Sequence, residues 1–494
     1  MRLHFGTEIF LAMIWRQHFR FTVRVLLSGM LAGFVAGLPE AGAQSGARSP
    51  WAISTGGGAS AVSPPTTALY TNPAHLGVES SASTLKIRLL DVRTYIGGDL
   101  LQFNRYRDTF GEQAGTLTDT EEGTVLDEWF GGGQRVVDTY TEAVPFALTY
   151  QPRGKQWAFG LGLRARVLSE VETDRGLFDL FLVGADSNRT VPVNGRYRGS
   201  STIDLTGTFS YSFESIPLSI GISPRFIVGT QYADGTLNSE VTVSDSVLTH
   251  QFDYTARAAG PPSREVYDTF NAFGTNPLGG VSGEFGGTVA GIGAGVDLGA
   301  TYEVQSGFFA SVSLTDLGGI QWNRDAQTVT SANDEFRFEG VALNLDRLRN
   351  EFDRDVGRYV KHQVDSLAQA AYQDVERDRS SFPVGLPTAV HVNSTWTQGP
   401  LTLNGGATVG LNSRTGAVSP TPAAHLGGEL RLGPVPLRAG VRLGGPQAVT
   451  LAGGIGVDAG GYRFDVGISA TPSTSTLGSG GRYAVGVSLA TVRF

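Results

Sequence analysis

Two pairs of polar residues have the types that catalysis or metal binding requires. His391 and Asn393 lie two positions apart and His425 and Glu429 lie four apart, so in an extended strand each pair shares one face. A histidine beside a carboxylate or an amide can serve in acid–base catalysis or hold a metal ion. The histidines are scattered, however, and the chain has no cysteine. A hydrolase or a metal site is therefore a minor alternative, and we expect no enzymatic activity, no catalytic residue, no cofactor and no metal.

Two short motifs resemble parts of active sites but do not complete them. The pentapeptide GVSGE at 280–284 has the serine of a nucleophile elbow, but it ends in Glu284 where that motif ends in glycine. The run GIGAG at 291–295 has the glycines of a phosphate-binding loop, yet it continues an alternating pattern that is typical of a strand. Neither motif predicts an enzyme.

A larger set of charged residues recurs at alternate positions along the chain. Two interpretations fit this set. It is a basic track for an anionic head group, or its members pair with one another and with a neighbouring segment, which we favour because charge is inexpensive in a water-filled lumen. The set comprises Arg164, Arg166, Asp204, Arg225, Glu429, Arg431, Arg438, Arg442, Arg463 and Asp465.

The elements that position these charges follow from a period of two. In WAFGLGLRARV, which begins at Trp157, large apolar residues occupy one face, and glycines with Arg164 and Arg166 occupy the other. Similar segments run to roughly ten residues, the length that a tilted membrane-spanning strand needs. About fourteen strands are predicted, near 84–90, 144–151, 156–168, 201–213, 217–230, 288–303, 307–315, 388–398, 401–411, 424–432, 436–443, 449–458, 461–470 and 482–492.

The connections between these strands give independent support for a membrane barrel. Links of a few residues alternate with long segments at 91–143, 169–200, 231–287 and 316–387. Bacterial barrels have short periplasmic turns, longer outer loops and an even number of strands. The sequence therefore predicts an all-β fold, a transmembrane antiparallel β-barrel of about 14 strands in a Gram-negative outer membrane, with both termini in the periplasm.

The start of the chain and its composition agree with export. Arginines at 16, 20 and 24 precede an apolar run at 25–38 and a small-residue site at 41–43, which is typical of a secretory signal peptide over residues 1–43, with Met1 or Met13 as its start. The absence of cysteine argues against a disulfide-stapled secreted fold. A net charge of −8 without basic runs indicates no nucleic-acid partner.

The segment GGGASAVSPPTTALYTNPAHLG at 56–77 precedes the first strand. Gly-Ala-rich sequence followed by a turn-rich stretch and then LYTNPA at 69–74 resembles the N-terminal segment of FadL-type outer-membrane barrels and of the related PorV and PorQ proteins. It departs from that pattern where Ser-Pro-Pro at 63–65 replaces an acidic stretch and His75 replaces a glycine. Residues 319–322 and 336–340 also resemble an uncharacterised Bacteroidota-type branch.

The resemblance implies that residues 44–80 form a hatch or plug inside a barrel of residues 81–494. The hatch residues are Leu69, Tyr70, Asn72, Pro73 and Ala74. A fourteen-stranded barrel is too wide for its own side chains to fill, since about eight strands already give a filled interior. Asn72 can cap a short turn that Pro73 begins and Gly77 ends. The alternative is a disordered linker between signal peptide and barrel.

The terminal Phe494 resembles the recognition signal that the barrel-insertion machinery reads. Alternation along the last strand places Tyr483 and Val485 on the face opposite to Phe494. A bulge near Thr491 would bring Phe494 to their face.

A helical pattern interrupts the strands in the last long loop. Apolar residues recur every three or four positions from Leu345, which predicts an amphipathic helix over about 344–377 with Asn344 as its cap. Its apolar stripe must pack on other loops or cover a hydrophobic ligand. The candidate ligand-binding residues, from this helix and two other loops, are Trp129, Phe130, Phe178, Leu180, Phe181, Leu348, Phe352 and Tyr359.

Two functions from different classes follow. The first is a FadL-like passive transporter of hydrophobic or amphipathic small molecules, with outer-membrane lipid around it and a hydrophobic small-molecule ligand inside. The second is a non-transporting, PorV-like barrel, a structural or secretion-associated component whose outer loops bind a protein partner.

Overall fold

A computed structural model describes most of the chain after residue 48. It describes residues 49–58, 61, 64–78, 85–98, 119–130, 133, 135–182, 189–244, 247–261, 289–331, 335–339, 344–352, 355, 358–359, 362, 375–412, 420–444, 449–472 and 481–494. The predicted signal peptide and the GVSGE motif lie outside these residues. Among them, no helix has the length and apolar character to cross a membrane.

Strands make up most of the structure. They are β1 (Leu85–Gly98), β2 (Arg135–Tyr150), β3 (Trp157–Thr173), β4 (Arg189–Pro192), β5 (Gly195–Ser212), β6 (Leu218–Val243), β7 (Leu248–Ala259), β8 (Gly291–Gln305), β9 (Phe308–Trp322), β10 (Gln327–Ser331), β11 (Glu335–Phe338), β12 (Val375–Asp378), β13 (Phe382–Gly385), β14 (Ala389–Gln398), β15 (Leu401–Gly410), β16 (Ala423–Leu432), β17 (Val435–Gly444), β18 (Val449–Ala459), β19 (Tyr462–Pro472) and β20 (Gly481–Arg493).

Fourteen of these strands form a closed antiparallel barrel. The ring runs β1, β2, β3, β5, β6, β8, β9, β14, β15, β16, β17, β18, β19 and β20, and β20 pairs back with β1. Each wall strand overlaps one of the fourteen predicted segments, so the prediction of a closed antiparallel barrel is confirmed. Because the ring is closed, the wall has no free strand edge. A sheet in a lipid bilayer must be closed in this way, since lipid cannot hydrogen bond to the backbone groups of a free edge.

The two faces of the wall have opposite chemistry. Outward-facing side chains are large, apolar and exposed, whereas inward-facing ones are polar and buried. The exposed apolar residues include Leu163, Leu205, Phe226, Leu298, Val312, Val392, Leu403, Leu426, Leu437, Leu451, Ile468 and Val485. An apolar outer face and a polar interior are the features of a transmembrane barrel. The chain is thus a β-barrel of the bacterial outer-membrane type.

Six strands stand beyond the wall at the end that carries the long connections. Strand β6 has 26 residues, far more than the roughly 9–11 that a tilted membrane strand needs. It pairs with β8 from Leu218 to Gly229, and beyond that point it pairs with β7 from Tyr232 to Val243. Strands β4, β10, β11 and β12 extend this outer sheet, and β13 continues the line of β14 along β9.

The outer sheet corrects the prediction of long loops. Strands β1, β2, β3, β5 and β9 also extend well past their predicted ends. Beyond the bilayer a strand is not bathed in lipid, so its outward side chains need not be apolar. The alternation that marks a membrane strand is therefore lost there, although the backbone pairing continues.

The helices are short. They are α1 (Pro50–Ser54), α2 (Pro65–Ala68), α3 (Asp119–Phe130), α4 (Gly176–Leu182) and α5 (Leu345–Asn350), with a 3-10 helix at Pro73–Gly77. The prediction of one helix over about 344–377 is right at its start, where α5 begins at Leu345, but wrong in its length: α5 gives way to a turn at Glu351, and Val375–Asp378 is strand β12. Most of the span between them lies outside the described residues.

The wall register shifts at several points, and two of these bulges redirect side chains that matter here. In β20 the pairing with β19 shifts between Thr491 and Ser488, and Phe494 becomes an exposed outward residue. The second lies in β9, where Thr315 and Asp316 oppose the single residue Asp297 of β8 and Asp316 has a φ of 57°. This bulge turns the Asp316 side chain into the lumen, where it is buried.

Candidate functional site

The candidate site is the lumen, where the N-terminal segment lies inside the ring of strands. The short helix α1 contacts β17, β18, β19 and β20, whereas α2 contacts β1 and β2 and the 3-10 helix contacts β3, β5, β6 and β8. Trp51, Leu69, Tyr70 and Asn72 are all at most 2% exposed. We call the described residues between 49 and 78 the plug segment. Its last turn lies near the barrel end that carries the short turns, because the carbonyl of Gly77 accepts from Ser212, the last residue of β5.

The first turn of the plug segment is fixed to the wall by one side chain. Ser49 caps α1 by accepting from the backbone N–H of Ala52, and Pro50 occupies the first helical position, which suits its missing N–H. The indole Nε1 of Trp51 donates to Glu429 Oε2 at 2.9 Å. The buried indole thus satisfies its donor on a carboxylate of β16.

The 3-10 helix gives the plug segment its second attachment. As the sequence predicts, Asn72 caps this helix by accepting from the N–H of Ala74, and Pro73 begins it. The same amide donates to Val312 O at 3.4 Å. Ser210 and Ser212 of β5 donate to the carbonyls of Ala74 and Gly77 at 3.3 Å and 3.0 Å. Three side chains, those of Asn72, Ser210 and Ser212, therefore hold a five-residue helix against β5, β8 and β9.

Wall glycines allow the plug segment to approach closely. A Cβ on Gly162 would lie 2.2 Å from the Tyr70 hydroxyl, and one on Gly221 would lie 2.4 Å from the carbonyl carbon of Pro73. A Cβ on Gly454 would lie 2.4 Å from Ser54 Cβ. No real side chain tolerates such distances, so the fit between wall and plug depends on glycine at these positions.

The predicted lumen charges near Tyr70 form one balanced cluster. Arg164 donates to Asp204 at 3.1 Å, and Arg225 and Arg166 donate to Asp316 at 2.7 Å and 3.0 Å. Arg225 also pairs with Asp297, whose carboxylate accepts from the backbone N–H of Asp316. Three arginines thus face three aspartates. The Arg164 guanidinium lies 4.7 Å from the ring centroid of Tyr70, which ties this cluster to the plug.

A second charge cluster lies below α1. Arg438 donates to Glu429 at 2.7 Å and to Asp465 at 2.6 Å, and Arg463 donates to Asp465 at 2.8 Å. Arg431 also reaches Glu429, but its side chain is 46% exposed. Arg431 therefore lies at the mouth of the barrel rather than in the lumen proper. The two clusters agree with mutual pairing as the main role of the lumen charges.

Sequence reasoning missed four members of this site. Arg93 pairs with Glu142, and both lie in what the sequence predicts as a loop. Asp316 lies in another predicted loop and turns inward only because of the β9 bulge. Trp51 carries no local pattern that marks it as an anchor. For Arg93, Glu142 and Asp316 the only signal available was charge near a predicted strand end.

The candidate ligand-binding residues fall into separate groups. Phe178 of α4 lies 5.1 Å from Phe130 and 6.4 Å from Trp129, both in α3, between ring centroids. Leu180 packs instead with valines of β4 and β6. The side chain of Phe181 lies outside the described part of the chain.

The remaining ligand candidates come from the last long connection. Phe352 and Tyr359 meet edge to face at 5.3 Å between centroids, and both are buried, as is Leu348. The Tyr359 hydroxyl accepts from the N–H of Asn344. Nothing in the described residues joins this group to the α3–α4 group, so the structure assembles two small apolar clusters rather than one site.

The histidines of the wall have no catalytic arrangement. His391 is hydrogen bonded to Thr315 at 3.1 Å and to Thr408 at 2.9 Å. Glu429, four positions from His425, is occupied by Trp51 and Arg438. Among the described residues, three or more His, Asp or Glu side chains do not converge as a metal site would require. The GIGAG run lies within strand β8, as its alternation indicates.

These features of fold and lumen define an outer-membrane β-barrel whose lumen contains an N-terminal plug segment. The chain belongs to the family described as "Family of unknown function (DUF5723)", whose model matches residues 105–439. No curated protein is similar enough to count as a match.

Several solved structures have a related outline. A TodX deltaS2S3 mutant monoaromatic hydrocarbon channel has 12% identity and a TM-score of 0.46, covering 90% of this chain and 98% of its own. The P. putida toluene transporter TodX has 12% identity and a TM-score of 0.45, with 92% and 99% covered. A Pseudomonas aeruginosa FadL homologue has 13% identity and a TM-score of 0.45, also with 92% and 99% covered.

Proposed function

We propose that this protein is a passive transporter that admits hydrophobic or amphipathic small molecules through the outer membrane. One observation carries the proposal: a separate segment of chain occupies the lumen, and few side chains attach it to the wall. Trp51 holds one end, and Asn72, Ser210 and Ser212 hold the other. The wall residues alone would leave the lumen open. The plug segment closes it, and its few attachments allow it to move.

The proposal includes an orientation of the barrel in the outer membrane. The short turns and both attachments of the plug segment face the periplasm, and the outer sheet faces the cell exterior, as in bacterial barrels generally. A ligand then meets the two apolar clusters, around Phe178 and Phe352, before it reaches the plug segment. Apolar side chains gathered at a water-exposed end favour capture of an apolar ligand.

Native mass spectrometry with lipid extraction tests this function on the full-length barrel in mild detergent. We expect a stoichiometric apolar ligand whose occupancy falls at least tenfold in Phe178→Ala or Phe352→Ala. Phe213→Ala is the matched control, because Phe213 is exposed at the opposite end of the barrel. Equal occupancy in all three variants would contradict capture at the outer clusters.

A second candidate function has its own supporting observation. The outer sheet of β4, the far half of β6, β7, β10, β11 and β12 extends well beyond what a pore requires. Such a platform suits a non-transporting barrel that binds a protein partner. A purified barrel without apolar ligand, which carries a stoichiometric copurified protein on that sheet, would favour this function over transport.

A further inference from the structure

Three buried side chains on the inner wall have polar atoms without a hydrogen-bonding partner. The amides of Asn393 and Asn404 are 3% and 2% exposed, and both their nitrogen and oxygen atoms are unpaired within the described chain. The Nε2 atom of His425 is unpaired as well. Most buried polar groups in proteins are hydrogen bonded, so three exceptions side by side require an explanation.

The strand register brings these side chains together around one glycine. Gly406 of β15 lies opposite Asn393 of β14 on one side and opposite His425 of β16 on the other. Asn404 lies two positions from Gly406 on the same inward face. A Cβ on Gly406 would lie 2.6 Å from Asn393 Oδ1 and 2.9 Å from His425 Cε1. The glycine leaves the space into which these polar groups point.

The plug segment faces this cluster without bonding to it. After α1 the chain turns through Gly56, Gly57 and Gly58, whose φ angles of 82°, 119° and 84° favour glycine. The N–H groups of Gly56 and Gly57 bond back to α1, and Gly58 makes no hydrogen bond to the wall. A Cβ on Gly58 would nevertheless lie 2.1 Å from His425 Nε2. Contact without hydrogen bonds leaves these polar groups desolvated, which costs free energy.

The attachments of the plug segment lie on either side of this point. Trp51 is bound to Glu429 before it, and Asn72 is bound to β8 and β9 after it. The hydrogen bonds of the described residues 52–58 all stay within the plug segment, so we expect the stretch that ends at Gly58 to separate from the wall most readily. Separation exposes Asn393, Asn404 and His425 to the lumen together.

The charge around the cluster selects its ligand. Arg442 of β17 lies opposite His425 in the register, is buried, and adds positive charge. Glu429 is the next acid on β16, about 13 Å along the strand from His425 at 3.3 Å per residue, and it is neutralised by Arg438. Two amide N–H₂ groups, an imidazole and a guanidinium are the donors that bind a carboxylate or a small anion.

We propose that Asn393, Asn404 and His425, with Arg442, form a binding site for a carboxylate or small anion, which becomes accessible where the plug segment leaves the wall at Gly58. This inference deepens the proposed transport function and rests on it. The site guides the polar end of a permeating molecule while the rest of the plug segment stays attached.

Equilibrium binding to the full-length barrel in uncharged detergent tests the site, with radiolabelled acetate, benzoate and benzyl alcohol as probes. We expect acetate or benzoate to bind, and benzyl alcohol, which lacks the charge, to bind at least tenfold more weakly. Comparable binding of acetate and benzoate identifies a free anion as the ligand. A clear preference for benzoate identifies an amphipathic carboxylate.

The double variant Asn393→Leu/Asn404→Leu keeps the side-chain size and removes the amides. We expect it to weaken carboxylate binding at least tenfold, while Asn238→Ala on the exposed outer sheet leaves it unchanged. Unchanged binding in the double variant overturns the inference, and so does a failure of both acids to bind the wild-type barrel. In that last case apolar solute uptake, measured separately in proteoliposomes, shows whether transport itself survives.

Discussion

At the residue scale, the barrel interior depends on charges that compensate one another. Arg164, Asp204, Arg225 and Asp316 are each at most 3% exposed, so any one of them left alone would be a buried, unpaired charge. Such clusters add little net stability when complete, but removing one member is expensive. We therefore expect their main role to be to fix the shape of the wall around Tyr70.

Asp204→Asn tests the importance of this balance. The change keeps the shape and removes the carboxylate that pairs with Arg164. We expect the free energy of unfolding to fall by about 3–5 kcal/mol, the range for breaking a buried ion pair. The free energy of unfolding is measured by urea titration, with the heat-modifiable gel shift as the signal of the folded barrel. Glu240→Gln, at an exposed position of the outer sheet, is the control. If Asp204→Asn and Glu240→Gln lower the free energy of unfolding by equally small amounts, the charges do not form a buried cluster.

We expect His75 to make plug docking depend on pH. Its ring nitrogens have no partner, and burial lowers the pKa of His75 to about 3. When the plug leaves the wall, the pKa returns to about 6.5. The undocked form then binds a proton that the docked form cannot bind. Docking is therefore strongest above about pH 6.5, and it weakens roughly tenfold for each pH unit below that value, down to about pH 3.

Conductance in planar bilayers measures this effect. We expect leak through the wild-type barrel to rise as the pH falls from about 7 to about 5. His75→Phe, which retains an aromatic ring without a titratable nitrogen, should lose that increase. The same pH profile in both proteins would show that His75 does not control docking.

At the element scale, the strands of the wall provide a surface that the plug segment fits only because of glycine. Gly221 of β6 lies against the backbone of Pro73, and Gly207 of β5 has nothing within 4 Å of the position of its Cβ. These two positions form a matched pair. One supports the plug segment and the other faces lipid.

Gly221→Val should expel the 3-10 helix, and Gly207→Val should not. The chain has no cysteine, so Ala74→Cys introduces a single thiol on the plug segment. Ala74 is fully buried, and we expect slow maleimide labelling in the otherwise native barrel. Adding Gly221→Val should accelerate labelling at least tenfold, while Gly207→Val leaves the rate unchanged. Equal rates would show that the close approach at Gly221 does not hold the plug segment.

Strand segments that face lipid could be predicted from the sequence, whereas strand segments beyond the bilayer could not. Alternation located all fourteen wall strands because lipid requires an apolar residue at every second position. The far half of β6 carries no such requirement and was predicted as a loop. Asp316 faces the lumen because of a bulge that no sequence pattern marks. The helix predicted from Leu345 has the right periodicity, but a turn ends α5 at Asn350 and β12 forms at Val375, through pairing with β10.

The site was predictable to a similar extent. Asn72 and Pro73 have an intrinsic preference for the start of a turn, and local chemistry alone places them correctly. Trp51 and Glu429 meet across 378 positions of sequence, and nothing local connects them. The unpaired state of Asn393, Asn404 and His425 likewise depends on the path of the plug segment, which the wall sequence does not contain.

At the scale of the whole molecule, the account describes a wide barrel closed by its own N-terminal segment. Fourteen strands enclose more space than their side chains fill. Residues 49–78 occupy that space through a few hydrogen bonds and close contacts with glycine. A plug of this kind is separable from the wall, because the wall closes on itself through β1 and β20 without it.

The most direct test is the single-channel conductance of a barrel that lacks residues 51–77. The truncated chain should still insert, show the heat-modifiable shift of a folded barrel, and conduct at least tenfold more than the full-length protein in planar bilayers. Full-length Gly207→Val, which changes only a lipid-facing position, should remain as closed as the wild type. If the truncated barrel folds and inserts but conducts no more than the full-length protein, residues 51–77 do not close the pore and the central claim is wrong.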